Sequence, residues 1–349
     1  MKETIAVAMS GGVDSSTAAA LLVEQEHKVI GLTARMWPAG SRCCSDDDIE
    51  SARQVAVHLG FAHHVVDLHE SFQRQVVDPF VAEYARGRTP SPCALCNRYI
   101  KFGALMDSAR ELGAARIATG HYARITQDAG GIRHLLTGVD TAKDQSYFLF
   151  DLSQEQLAAA LFPLGTMRKS EVVAYARERG VPVTKRPESQ DLCFAEPGRH
   201  YAVVELLKPD VRIEGDILDM KGRKLGRHEG LHRYTIGQRR GLGIAAGKPM
   251  YVVRIDAASN TVVVGDESDV MQKQAAVAGV RWISGVEPAS AIKCGTRIRY
   301  NHDAAVSVVM PRGPDSASIQ FDEPQFAVTP GQVAAFYVGD ELIGGGWIE

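Results

Sequence analysis

One stretch constrains the fold more than any other: Ile5-Ala6-Val7-Ala8-Met9-Ser10-Gly11-Gly12-Val13-Asp14-Ser15-Ser16. Its five apolar residues read as a buried strand. The run from Asp14 to Glu26, with Ala18, Leu21 and Leu22 at helical spacing, reads as a helix. Only a glycine turn separates the two. A strand that passes so quickly into a helix opens a β–α unit, and such units stack into a parallel sheet. The pattern continues with a strand at Val29–Thr33, a helix at Ile49–Leu59 ended by Gly60 and a strand at His63–Val66. A helix at Phe102–Leu112, stopped by Gly113, and a strand at Arg116–Thr119 follow. The expectation is an α/β domain built on a parallel, doubly wound sheet.

Near residue 205 the pattern changes to short β-rich runs: Tyr251–Ile255, Thr261–Val264, Arg297–Tyr300, Val306–Met310 and Val333–Val338. They read as small β-rich modules, the last a C-terminal β-barrel. The 349 residues therefore divide into three units, 1–204, 205–272 and 273–349. With 45% hydrophobic and 23% charged residues the chain is neither disordered nor collagen-like. No stretch approaches the ~20 apolar residues of a membrane span, and the apolar run at Ile5–Met9 is too short for a secretory signal. The expected setting is cytoplasmic and reducing.

The glycine loop lies where a parallel sheet binds ligands, at the carboxyl end of a strand and the positive end of a helix. Two glycines let the backbone approach a phosphate, and Ser10, Ser15 and Ser16 add hydroxyls. The loop is not a Walker loop, because it lacks the lysine and the spacing, and it is not GxGxxG. The net charge of −3 argues against a general nucleic-acid binder unless basic residues are concentrated. They are concentrated at 221–240, where Lys221, Arg223, Lys224, Arg227, Arg233, Arg239 and Arg240 stand against Glu229 alone. Phosphate contacts from such a segment, with Tyr234 stacking on an exposed base, would suit RNA.

The six cysteines are too sparse for a disulfide scaffold. Cys93 and Cys96 form a CxxC after Thr89-Pro90-Ser91-Pro92, and Cys193 follows nearly a hundred residues later. Half a zinc site, a redox pair and a sulfur-transfer pair all fit that spacing. Cys43 and Cys44, ahead of the helix-capping run Asp46–Asp48, read as structural, and Cys294 as an ordinary thiol of the β-rich tail.

Ser10–Ser16 resembles the pyrophosphate loop of the ATP pyrophosphatases, which have an adenine nucleotide alpha hydrolase-like fold. A longer string of motifs narrows this. It comprises residues 87–97 with their CxxC, Ile100-Lys101-Phe102, Ala118–Arg124, Lys143–Leu149, Ser189–Phe194, Gly230–Gln238 and Gly344-Gly345-Gly346. Together, and in this order, they resemble the tRNA-specific 2-thiouridylase family. The resemblance implies ATP-dependent 2-thiolation of the wobble uridine of tRNAs for Lys, Glu and Gln, through adenylation of the base O2. ATP with Mg²⁺ would sit on Ala8, Met9, Ser10, Gly11, Gly12, Val13, Asp14 and Ser15, with Ala34 and Gly120 nearby. Cys193 would carry a persulfide from an upstream donor, a cysteine desulfurase or a relay protein. Cys96 would resolve it, leaving a Cys96–Cys193 disulfide, or attack the base first. Ser91, Pro92, Cys93, His121, Lys143, Asp144, Gln145, Arg299, Tyr300 and Gln332 would touch tRNA.

One departure stands out. Many family members carry Asn-Pro-Asp where this chain has Ser91-Pro92-Cys93. Two readings follow: an additional thiol, or a 4Fe–4S cluster held at three corners by Cys93, Cys96 and Cys193. Two rival functions also stand beside the main one, an adenylating enzyme acting on a different substrate and an RNA-binding regulator without catalysis. The intact loop and both Cys96 and Cys193 argue against the second.

Overall fold

The computed structural model describes residues 3–37, 45–183, 192–196, 198–245 and 247–349, so Cys43, Cys44, Ser189, Gln190 and Asp191 lie outside the described residues. β1 (Thr4–Ala8) leads into α1 (Val13–Glu24), β2 (Lys28–Arg35) into α2 (Asp46–Leu59), and β3 (Ala62–Asp67) and β4 (Arg116–Ala118) follow. A hairpin of β5 (Ala123–Gln127) and β6 (Arg133–Thr137) precedes the two-residue β7 (Ala160–Leu161). The order β3-β2-β1-β4-β7, every pairing parallel, makes the expected sheet. Ile5 and Val7 enter one apolar cluster with Ala19, Leu22, Ala52 and Val55 of α1 and α2. Ala6 enters another with Leu32, Phe72 and Ile100 on the opposite face. A strand buried on both faces needs an apolar run rather than alternation. The chain leaves β1 toward β2 on one side and reaches β4 on the other, so the carboxyl end of β1 is the topological switch point.

α2 begins with a capping box between Ser45 and Asp48, with Asp46–Asp48 as its acidic first turn, and ends at Gly60 with φ +78°. The helix expected at Phe102–Leu112 starts earlier and is not uniform. Pro92–Leu95 is α-helical, Cys96–Ala104 is a π-helix and Leu105–Glu111 is α-helical again. The cause is visible: Gln156 Nε2 donates to the carbonyls of Arg98 (2.7 Å) and Phe102 (3.0 Å), and Gly103 leaves helical geometry at φ −113°, ψ −106°.

β8 (Gly215–Asp219), β9 (Lys224–His228), β10 (Tyr251–Asp256) and β11 (Thr261–Gly265) form a four-stranded sheet in the order β10-β11-β8-β9. β12 (Met271–Trp282), β13 (Ile292–Arg297), β14 (Ala305–Gly313), β15 (Ser316–Phe326), β16 (Val333–Val338) and β17 (Glu341–Ile348) close into a six-stranded antiparallel barrel through the β12–β17 pairing. Val277, Phe321 and Phe336 fill it. β6 pairs with β17 at Leu136↔Glu341 and Leu135↔Leu342, so the barrel is stitched to the N-terminal domain by backbone hydrogen bonds. No helix of the described residues is long and apolar enough to cross a membrane.

Candidate active site

The glycine loop occupies the switch point. Gly11 has φ +69°, and a Cβ there would lie 2.7 Å from the Asp48 carbonyl oxygen and 2.9 Å from Ser51 Cβ, so both backbone shape and the approach of α2 require glycine. Gly12 is the N-cap of α1 and brings no side chain to its first N–H groups. The positive helix end is therefore shaped for an anion. The serine hydroxyls turn inward instead: Ser15 Oγ and Ser16 Oγ donate to the Gly12 carbonyl at 3.2 and 2.9 Å. Gly120 closes the other side, where a Cβ would lie 2.9 Å from Asp14 Cβ and from the Ser15 nitrogen. Ala34 is buried at the carboxyl end of β2.

Asp14 does not cap α1. Its carboxylate accepts from Lys169 Nζ at 2.8 and 2.7 Å and from Tyr122 Oη at 2.7 Å. Lys169 escaped sequence reading because it lies 155 residues away. One local signal was present: it is the first residue of the helix Lys169–Glu178, where a cation opposes the helix dipole. The loop lacks the Walker lysine, and the fold supplies an ammonium from elsewhere.

Cys96 is 9% exposed and belongs to the cluster that also contains Ala34 and Phe194. Cys193 packs against that same cluster. Phe194 anchors Cys193: its ring meets Phe80 (5.1 Å, 86°), Phe72 (5.7 Å, 76°) and Trp37 (6.0 Å, 49°). Burial of such a ring contributes roughly 1.5–3 kcal/mol, enough to hold a turn in place. Among the described residues no three His, Cys, Asp or Glu side chains are grouped to hold a metal ion.

His121 is 7% exposed, between Phe102 and Phe162. Its Nδ1 lies 2.7 Å from Thr119 Oγ1 and its Nε2 3.4 Å from Lys101 Nζ. Burial, reinforced by the Lys101 charge, holds its pKa well below the ordinary value. The ring is neutral, Nε2 accepts from the ammonium, and Nδ1–H donates to Thr119. An unfolded histidine titrates near 6.5. Below about pH 6.5 the unfolded chain gains a proton that folded His121 refuses, so stability falls with pH by up to ~1.4 kcal/mol per unit. We expect His121→Gln to flatten the acid limb of a Tm–pH profile between about pH 6.5 and 5. An unchanged slope would show that His121 carries none of it.

Several residues expected at the RNA bond to other groups of the protein. Asp144 is 3% exposed and accepts from the backbone N–H groups of Gly138 and Ser146, from Ser146 Oγ and from Arg297 (2.7 Å). Gln145 Oε1 accepts from the Tyr122 N–H, and Gln332 Nε2 donates to the Thr89 and Pro90 carbonyls. Ser91 and Pro92 are buried, and Cys93 is half-buried. Tyr300 stacks on Phe148 (4.7 Å, 30°), Arg299 lies over Phe326, and Lys143 is half-buried. Tyr234 is buried at 7% and cannot stack on a base as expected. The basic segment is also less basic than its local count. Arg223 pairs with Asp219, Lys224 with Asp216, Arg227 with Glu214 and Arg233 with Glu205. Lys221, Arg239 and Arg240 are exposed.

A phosphate-shaped glycine loop at the switch point of a parallel sheet, with a lysine brought to it, defines an ATP-using HUP domain of the pyrophosphate-loop class. The family models described as tRNA methyl transferase HUP domain, tRNA methyl transferase PRC-barrel domain and Aminomethyltransferase beta-barrel domain match residues 3–197, 206–266 and 272–348. The tRNA-specific 2-thiouridylase MnmA of Geotalea uraniireducens is 47% identical over 358 residues, covering 100% of this chain and 95% of that one. That of Trichormus variabilis is 49% identical over 352 residues, covering 100% and 99%. The chain belongs to the tRNA-specific 2-thiouridylase family. Among solved structures, the U34-tRNA thiolase NcsA from Methanococcus maripaludis with its 4Fe-4S cluster is 19% identical, covers 58% of this chain and 64% of its own, and superposes with a TM-score of 0.37, too loosely to carry an argument.

Proposed function

We propose that this tRNA sulfurtransferase places sulfur on C2 of the wobble uridine in tRNAs of the Lys, Glu and Gln type. ATP, with Mg²⁺ on its phosphates, lies along Ala8–Ser15 beside Ala34 and Gly120. The uridine O2 attacks the α-phosphorus, pyrophosphate leaves toward α1 and Lys169, and C2 now bears AMP as its leaving group. The terminal sulfur of a Cys193 persulfide attacks C2 and expels AMP. The Cys96 thiolate then attacks the Cys193 sulfur, breaking the S–S bond to release 2-thiouridine and leaving a Cys96–Cys193 disulfide. A two-electron thiol reductant and an upstream persulfide donor restore the enzyme, which suits the reducing cytoplasm. In this reading residues 1–204 carry the chemistry, and units 205–272 and 273–349 hold the RNA.

The observation that supports the reading is that Cys96 belongs to one apolar cluster with Ala34 at the carboxyl end of β2, and that Ala8, the last residue of β1 before the loop, and Cys193 both pack against that cluster. The test is product analysis with labelled ATP. AMP and pyrophosphate should form only when tRNA is present. Release of ADP and phosphate, or AMP formation indifferent to tRNA, would defeat the proposal.

A further inference from the structure

Lys101 lies five residues after Cys96, and both belong to the π-helix Cys96–Ala104. In an α-helix a five-residue step turns roughly 140° about the axis and would put the two side chains on different faces. An i→i+5 turn brings residue 101 back over residue 96. The half-buried Lys101 reaches His121, whose Nε2 lies 3.4 Å from the ammonium. That imidazole is fixed by Thr119 Oγ1 (2.7 Å) and by the rings of Phe102 and Phe162. It stands one residue beyond Gly120, the glycine pressed against Asp14 and the Ser15 nitrogen. Lys101 is therefore a cation set between the cysteine-bearing helix and the glycine loop. Its charge is uncancelled. Among the described residues no carboxylate pairs with it, whereas Lys169 is held by both oxygens of Asp14. The neutral His121 ring orients the ammonium without opposing its charge and takes only one of its three donors.

We propose that Lys101 is a further catalytic residue, whose ammonium holds the α-phosphate of the adenylated uridine and of the departing AMP. This rests on the reading of the chain as an adenylating enzyme. In the adenylated base the phosphate is a diester with a single negative charge. As sulfur attacks C2, the C2–O bond breaks, its electron pair stays on that oxygen, and AMP leaves as a dianion. Negative charge at the phosphate thus grows during the step. Lys101 donates to a non-bridging oxygen and keeps its proton. An ammonium fixed in advance stabilises the growing charge more than it stabilises the starting diester, and that difference lowers the barrier. The two lysines divide the triphosphate between them. Lys169 meets Asp14 on the first turn of α1, the side toward which pyrophosphate leaves. Lys101 comes from the helix that carries Cys96, the side on which the base is attacked.

The experiment compares full-length wild type with Lys101→Met, Lys101→Gln and Lys101→Arg. Calorimetric titrations use AMP and, separately, magnesium pyrophosphate as probes, and single-turnover 2-thiouridine formation is followed at saturating tRNA. Lys101→Met and Lys101→Gln should raise the Kd for AMP about tenfold or more, the loss of one hydrogen bond between charged groups. Their pyrophosphate binding should stay within about twofold, which also shows that they fold. Thiolation should slow about a hundredfold. Lys101→Arg keeps the charge and should recover most of the AMP affinity. Lys169→Met should show the reverse selectivity, with pyrophosphate weakened and AMP unchanged. AMP binding within about twofold of wild type in both neutral variants would overturn the proposal. So would equal weakening of AMP and pyrophosphate, the mark of a structural role, or a thiolation rate within about threefold of wild type. If wild type itself binds neither AMP nor pyrophosphate, the adenylating reading falls and takes this proposal with it, an outcome the wild-type titrations tell apart from a failure of Lys101 alone.

Discussion

Lys169→Met should lower tRNA-dependent AMP formation about a hundredfold or more, the scale on which removing one preorganised charge from a reaction centre acts. The side chain is 17% exposed, and its ammonium holds both oxygens of Asp14 on the first turn of α1. A triphosphate placed on this loop brings several negative charges to the same turn, and the loop itself contains no cation. Pyrophosphate leaving with its charge uncompensated would be slow. A bland alternative is that Lys169 merely neutralises Asp14 and braces α1. The pair of variants Lys169→Met and Lys169→Met with Asp14→Asn decides between them. If the lysine serves the phosphates, the double variant stays as slow as the single one. If it only balances the carboxylate, the double variant recovers, and a rate within threefold of wild type would remove Lys169 from the mechanism.

What could be read from the sequence was local. The strand, glycine turn and helix at Ile5–Glu26 lie within a few residues of one another, and the phosphate-shaped loop follows from their order. The ends of α2 were legible because Gly60 and the acidic first turn are local signals. The π-helical run at Cys96–Ala104 was not, because it depends on an amide from Gln156, 58 residues from Arg98. β12 was also missed. Its Met-Gln-Lys-Gln-Ala-Ala opening has weak strand propensity and is held by two neighbours, β15 and β17.

The site shows the same division. Motifs marked Asp144, Gln145 and Gln332 as important, and the structure adds which protein groups their side chains bond: Ser146 and Arg297, the Tyr122 N–H, and the Thr89 and Pro90 carbonyls. Identity of motif carried no information about which way a side chain faces. The charge count at 221–240 erred for a related reason. Glu214, Asp216 and Asp219 lie outside that window but are brought beside it by the antiparallel pairing of β8 with β9. A linear count cannot see a cross-strand neighbour.

The departure at Cys93 has a consequence for chemistry. The half-buried thiol stands where the family resemblance implies a carboxylate. Activity that persists in Cys93→Ser under air would be consistent with an additional thiol.

Sulfur on its way to the uridine should pass through Cys193. In a strain lacking its own 2-thiouridylase, complemented with wild type or with Cys193→Ser, nucleosides from total tRNA are separated and 2-thiouridine derivatives are counted by mass spectrometry. Wild type should restore them. Cys193→Ser should leave none, because a serine hydroxyl cannot carry a persulfide, while the purified variant still releases pyrophosphate in the presence of tRNA. Wild-type levels of 2-thiouridine in the Cys193→Ser strain would contradict the account.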